Sequence, residues 1–216
     1  MNTPPVQLIE TMRVEPGNTL PLLDWHLQRL QRSCAQLGFV WPGDPLVRAI
    51  ARDASVLSPD NTYRLRLLLD ADGQYRLEAD PLPATPAPVL IRLNSTPIKT
   101  EPFQLQHKTT RRPWYDKASA WLAQNNSFFD IVFCNQQNEV CEGSRTNVYI
   151  LNSAGVWVTP PLQCGLLPGV QRQALIDSKA VEVAVITRDE FINAKAIRVS
   201  NALRGWLAAV LFADQP

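Results

Sequence analysis

Lys108 stands in the stretch LQHKTTRRPWYD, next to His107 and just before Arg111 and Arg112. One reading is a solvated basic patch. The other is chemical: neighbouring cations and partial burial both disfavour an ammonium, so a lysine here could present a neutral amine as a nucleophile. The stretch NEVCEGSRTNVYIL, residues 138–151, poses a second question. Val140, Val148, Ile150 and Leu151 are strand formers, whereas Glu142-Gly-Ser-Arg-Thr-Asn147 is polar and bend-forming, so it reads as a β-hairpin interrupted by a carboxylate. Such a segment is either a tight surface turn or a site that needs one fixed negative charge. GLLPGVQRQ places Gly169, Val170 and Gln171 at the start of a predicted helix, where unpaired N–H groups and the helix dipole favour an anion. Arg29 in HLQRL can remain solvated or fork onto a phosphate. Ser200 and Asn201 in VSNALRG supply a pair of donors at the end of a predicted strand.

Composition narrows the function classes. The 216 residues are 45% hydrophobic and 19% charged, with a formal net charge of +1. That is enough apolar side chain for a core, and no global field selects nucleic acid or an anionic membrane. No apolar run approaches the length of a membrane span. MNTPPVQLIE has neither the basic nor the apolar region of a signal peptide, so the cytoplasm is the expected location. Cys34, Cys134, Cys141 and Cys164 show no CxxC spacing and read as buried thiols. No histidine or cysteine cluster has metal-ligand spacing, and no GxSxG elbow points to a serine hydrolase.

The elements that must position these residues follow from periodicity. QLIETMRV reads as a strand and TLPLLD as a second, joined by a turn at Pro16-Gly17-Asn18. Asp24 is placed to cap a helix reaching about Phe39, with Leu27, Leu30, Cys34 and Leu37 at helical spacing and Pro42-Gly43 ending it. A second helix follows Pro45. TYRLRLLLD alternates, with Tyr63, Leu65, Leu67 and Leu69 on one face and Arg64, Arg66 and Leu68 on the other, and Asp72-Gly73 turns it into QYRLEA. The prolines of DPLPATPAP mark a linker. The expected division is a small α+β domain over 1–80, a linker over 81–88 and a larger domain over 89–216. In the larger domain VLIRL, FFDIVFCN, VCEG, TNVYIL, GVWVTP, VEVAVI and AIRVSNA read as strands, and 113–124 and the segment after Pro168-Gly169 as helices. The apolar tail GWLAAVLF suits either a core or an interface.

HLQRL, a lysine ahead of a helix, CEGSRTNVYI, GLLPGVQRQAL and a strand ending in SNA, taken in this order, resemble the class IV aminotransferase family. LIETMRVEPG, LPLLDWHLQRLQRSCAQLGF, HKTTRRPWYD and NALRGW look most like its 4-amino-4-deoxychorismate lyases. The resemblance implies a two-domain α+β fold of the fold-type IV kind, as in D-amino acid aminotransferase, with pyridoxal 5′-phosphate as cofactor. It implies that Lys108 carries the cofactor and that Glu142 faces the pyridine nitrogen and keeps it protonated. Arg29, the Gly169-Val170-Gln171 turn, Ser200 and Asn201 would bind the phosphate, and Asn147 and Thr146 would shape the pocket. A substrate bearing carboxylates would find arginines among Arg64, Arg66, Arg112 and Arg204, with Arg64 and Arg66 equally readable as a charged exposed face. Tyr115 could reach a cofactor oxygen. Many relatives carry a further strand and a glycine-aspartate-glycine segment before the equivalent of LIETMR, where MNTPPVQ stands here, a departure that bears on substrate specificity. The resemblance implies a homodimer and a role in folate biosynthesis, with release of pyruvate and 4-aminobenzoate. A branched-chain or D-amino acid aminotransferase, and a non-catalytic binding protein of the same fold, remain the alternatives.

Overall fold

The structure, a computed structural model, describes residues 5–99 and 101–212, so residues 1–4 and 213–216 of the two expected domains lie outside it. The chain divides into two compact units. One takes the residues up to Ala84 together with His107–Arg111, and the other takes Thr85–Gln106 and the chain from Arg112 onward.

In the first unit, β1 (Leu8–Val14), β2 (Tyr63–Leu69) and β3 (Tyr75–Pro81) form an antiparallel sheet in the order β1-β2-β3. Strand alternation puts Leu8, Glu10, Met12 and Val14 on the buried face of β1. Helices α1 (Leu23–Leu37) and α2 (Asp44–Ser55) accompany this sheet, and Leu30, Cys34, Leu46 and Ile50 join Leu65, Leu67 and Leu69 in one apolar cluster. TLPLLD is not a strand. A single bridge from Glu15 to Thr19 closes the turn, after which Leu20 and Leu23 pack onto the core. Helix α1 also departs from the expected ends. Leu22 is its N-cap without a side-chain hydrogen bond, Asp24 sits in the first turn, and Gly38 in the left-handed conformation stops the helix before Pro42-Gly43.

Residues 107–111, expected within the larger domain, pack with the first unit because they hydrogen-bond to β1. Ile9 N–H donates to Lys108 C=O at 2.8 Å and Thr110 N–H to Gln7 C=O at 2.9 Å. An antiparallel bridge joins Leu8 and Thr109.

The second unit contains β4 (Val89–Leu93), α3 (Pro102–Leu105), a 3₁₀ turn (Pro113–Tyr115) leading into α4 (Asp116–Gln124), β5 (Phe128–Cys134), β6 (Val140–Gly143), β7 (Asn147–Leu151) and β8 (Trp157–Thr159). It continues through a 3₁₀ turn (Leu162–Cys164), α5 (Val170–Asp177), β9 (Glu182–Val183), α6 (Arg188–Ile192), β10 (Ile197–Asn201) and β11 (Gly205–Phe212). Its sheet runs β6-β5-β4-β11-β10-β7-β8-β9, with β4 parallel to both β5 and β11. The apolar tail is therefore a strand between β10 and β4. Leu207, Ala209 and Leu211 pack on the core, and Val210 and Phe212 are exposed. Of VEVAVI only Glu182 and Val183 pair with β8, itself three residues long, and Ile186 is buried in the core. Among the described residues no helix is long and apolar enough to cross a membrane.

The interrupted hairpin is resolved differently from its sequence reading. Strand β6 pairs with β5, whereas β7 pairs with β10 and β8. Asp130 of β5 holds the polar run between them. Its fully buried carboxylate accepts from Ile131 N–H (2.8 Å), Ser144 Oγ (2.6 Å), Arg145 N–H (3.2 Å) and Thr146 Oγ1 (2.6 Å). Burial pushes this carboxyl above its ordinary range, opposed by the Ser144 and Thr146 hydroxyls. Gly143 has to be glycine because a Cβ there would overlap Asp130 Oδ2. Gly143→Ala should therefore displace Asp130 from its donors and destabilise the protein by about 2 kcal/mol or more, read as a lower urea midpoint at unchanged slope.

Candidate functional site

The first unit supplies a buried charged cluster. Glu10 is set inward by the alternation of β1, and His26 and Arg29 lie three residues apart on one face of α1. Arg29 Nε donates to Glu10 Oε1 at 2.9 Å and Nη2 to Oε2 at 2.5 Å, a two-pronged fork. His26 Nδ1 also meets Oε2, at 2.5 Å. Burial alone would raise the Glu10 carboxyl, but the Arg29 charge and the His26 hydrogen bond outweigh it and bring it down to about 2. His26 moves downward, first through burial and further through the charges of Arg29 and Lys108, against the pull of Glu10. Against the Glu10 carboxylate, an acceptor, its Nδ1 is the donor. Lys108, partly buried, is close enough for its charge to act on this histidine, and its backbone is anchored to Ile9. His107 turns to Ser33, with Nδ1 and Oγ 3.0 Å apart, as a packed neighbour.

The second unit supplies a separate group around Glu142, which is buried at the end of β6. The Tyr115 hydroxyl donates to its Oε1 at 2.7 Å and Arg112 Nη2 lies 3.3 Å from the same oxygen. Burial first, then the charge of Glu142, holds the Tyr115 phenol well above its usual range, so it stays a donor. Asn147 Nδ2 reaches Leu167 C=O at 2.9 Å and lies 3.5 Å from Glu142 Oε2. Gly169 is the N-cap of α5, and a Cβ on it would overlap Asn147 Oδ1. The absence of a side chain thus brings the helix start, with the amides of Val170 and Gln171, against the residue beside Glu142. Ser200 stands opposite Asn147 in the β10–β7 register, and its Oγ is 2.7 Å from Tyr149 Oη.

The chain matches the model of the family described as Amino-transferase class IV over residues 7–211. The chain belongs to the class IV amino-transferase family. Its solved relatives include a protein of Mesorhizobium loti named "Putative amino-acid aminotransferase". That protein is 37% identical, with 96% of this chain and 100% of that one covered and a TM-score of 0.84. A "Putative aminodeoxychorismate lyase" of Schizosaccharomyces pombe is 28% identical over 196 residues, spanning 88% of this chain and 84% of that protein. The 4-amino-4-deoxychorismate lyase of Pseudomonas aeruginosa, 20% identical, shares the fold with a TM-score of 0.78 over 97% of this chain and 84% of that one.

A class IV amino-transferase is a pyridoxal 5′-phosphate-dependent enzyme of the α+β fold-type IV class. The donor set fits that cofactor. A buried carboxylate held by Tyr115 and Arg112 suits a ring nitrogen that must stay cationic, and a glycine-capped helix start suits a phosphate.

Other expected site residues have contacts of their own in the structure. Arg64 pairs with Asp80 at 2.6 Å on the outer face of β2, and Glu78, opposite Arg66 in the β2–β3 register, pairs with Arg76 at 2.9 Å. Asn201 uses its side chain in the β10–β11 turn, where Oδ1 accepts from Leu203 N–H (3.1 Å) and Arg204 N–H (2.9 Å) and Nδ2 donates to Arg145 C=O (3.3 Å). Arg204 lies within that turn. Glu10 and Asp130 were missed as organisers. Each carries the same signal in the sequence: one carboxylate among residues that otherwise belong to a buried strand, LIETMRV and FFDIVFC.

Proposed function

We propose that this class IV enzyme is a 4-amino-4-deoxychorismate lyase that releases pyruvate and 4-aminobenzoate. Its likeness to the fission-yeast protein of that name over 88% of the chain is the observation that carries the reading. The buried Glu142 carboxylate, held by Tyr115 and Arg112, supports it.

The bound cofactor supplies an electron sink for charge developing at the substrate's Cα. Lys108 would carry the cofactor and, once freed by the substrate amine, take the Cα proton on its Nζ. Glu142 would hold the proton on the ring nitrogen. Arg29, the amides of Val170 and Gln171, Ser200 and Asn201 would bind phosphate oxygens, and Asn147 would shape the pocket. Arg64 keeps its place as a candidate for a substrate carboxylate, since an exposed pair such as Arg64–Asp80 contributes only about 0–1 kcal/mol and is readily exchanged. Arg66 and Arg204 stand with it. The reading extends to folate biosynthesis in the cytoplasm and to a homodimer.

A second reading, a class IV aminotransferase, is favoured by the name of the Mesorhizobium loti relative, with a branched-chain or D-amino acid as the substrate to test. Purified protein supplied with 4-amino-4-deoxychorismate should release pyruvate and 4-aminobenzoate in equal amounts. Transfer of an amino group to 2-oxoglutarate without pyruvate release would reject the lyase in favour of the aminotransferase.

A further inference from the structure

Arg112 and Tyr115 bracket the 3₁₀ turn that precedes α4, and both converge on a single oxygen of Glu142. Tyr115 cannot easily turn away. Its ring packs on Phe133 with centroids 5.0 Å apart and meets Trp114 edge-on at 6.1 Å. The Arg112 guanidinium lies over the same ring, 4.5 Å from its centroid, so the arginine stacks on one partner of Glu142 while pairing with Glu142 itself. The Arg112 side chain is 16% exposed and that of Glu142 is 3% exposed. The charges of Arg112 and of the buried Arg172 both act on Glu142, and the orientation of its carboxyl group decides whether it can meet a ring nitrogen.

We propose that Arg112 and Tyr115 are positioning residues for Glu142: they hold its Oε1 and fix the rotation of the carboxyl group before any ligand arrives. Arg112 then belongs to the ring-nitrogen side of the site and does not bind a substrate carboxylate. Tyr115 acts through Glu142 and does not reach a cofactor oxygen. The proposal rests on the reading that Glu142 faces the ring nitrogen.

The test compares two probes on the full-length protein stripped of cofactor. One is pyridoxal 5′-phosphate, and the other is its 1-deaza analogue, in which a C–H replaces the ring nitrogen. Tryptophan fluorescence quenching gives Kd for each, and the ratio reports the contact at that nitrogen alone. Wild type should favour the natural cofactor, and Glu142→Gln should bring the ratio close to one. Arg112→Leu and the isosteric Tyr115→Phe should each lower the ratio about tenfold, the scale of one hydrogen bond to a charged group, with affinity for the deaza analogue nearly constant. Arg112→Lys should recover part of the loss. If Glu142→Gln collapses the ratio while Arg112→Leu and Tyr115→Phe keep the wild-type value, the positioning role is overturned and the cofactor reading stands. If the two variants weaken both probes equally, their role is merely structural and the proposal is likewise overturned. If Glu142→Gln itself leaves the ratio unchanged, the reading of Glu142 falls and the proposal falls with it.

Discussion

Lys108→Ala should abolish the borohydride-trapped adduct with pyridoxal 5′-phosphate and lower turnover by at least about 10³-fold, because one amine is asked both to carry the cofactor and to move the substrate proton. The fold should survive the change. Lys108 is only partly buried, and its contribution to β1 pairing runs through its backbone, the C=O that accepts from Ile9, which alanine retains. Tryptic mapping of the reduced wild-type protein should find the adduct on the peptide containing residue 108. A surviving adduct in the variant would move the role to another lysine, with Lys99 and Lys117 the first to examine.

Glu10→Ala should be the most destabilising single change in the first unit, by roughly 3–5 kcal/mol, because it leaves the Arg29 guanidinium, 5% exposed, without its buried counter-charge. Replacing Glu10 and Arg29 together with Met should cost less than Glu10→Ala alone, since no unpaired charge then remains in the interior. The same pair makes stability depend on acid. The Glu10 carboxyl falls from its ordinary 4.5 to about 2 on folding. A depressed folded-state value means that the contribution is fully present above pH 4.5 and is lost as pH falls from there through 2, up to roughly 3 kcal/mol in all. Urea midpoints measured across that window should drop in wild type and change less in the double Met variant. Equal slopes in the two proteins would show that Glu10 does not carry the acid sensitivity.

Both predictions concern residues that differ in how visible they are in the sequence. Lys108 stands out in HKTTRRPWYD because a histidine and two arginines crowd its neighbourhood. Glu10 is visible only as one acid in an alternating strand, and alternation alone says that it faces inward without saying what awaits it there. Its partners, His26 and Arg29, arrive from a different element. The strand read at TLPLLD failed for a related reason. Its Leu20 and Leu23 reach the core from a turn and a helix start, which an apolar run by itself does not distinguish from a strand. The polar run EGSRTN was read correctly as something other than a simple sheet, yet its organiser, Asp130, lies on β5 and could not be assigned to it by local pattern.

Residue type and spacing determined the period of the strands and helices, and the order of the motifs carried the resemblance to the family and, through it, the cofactor class. Tertiary structure alone decided that Asn201 serves a turn, that Arg64 faces Asp80 and that Arg112 and Tyr115 share an oxygen of Glu142. A charged or polar side chain has many partners of suitable chemistry along any sequence. Which one it meets is set by strand register and by the close packing of elements far apart in the chain, and neither leaves a local mark on the residues concerned.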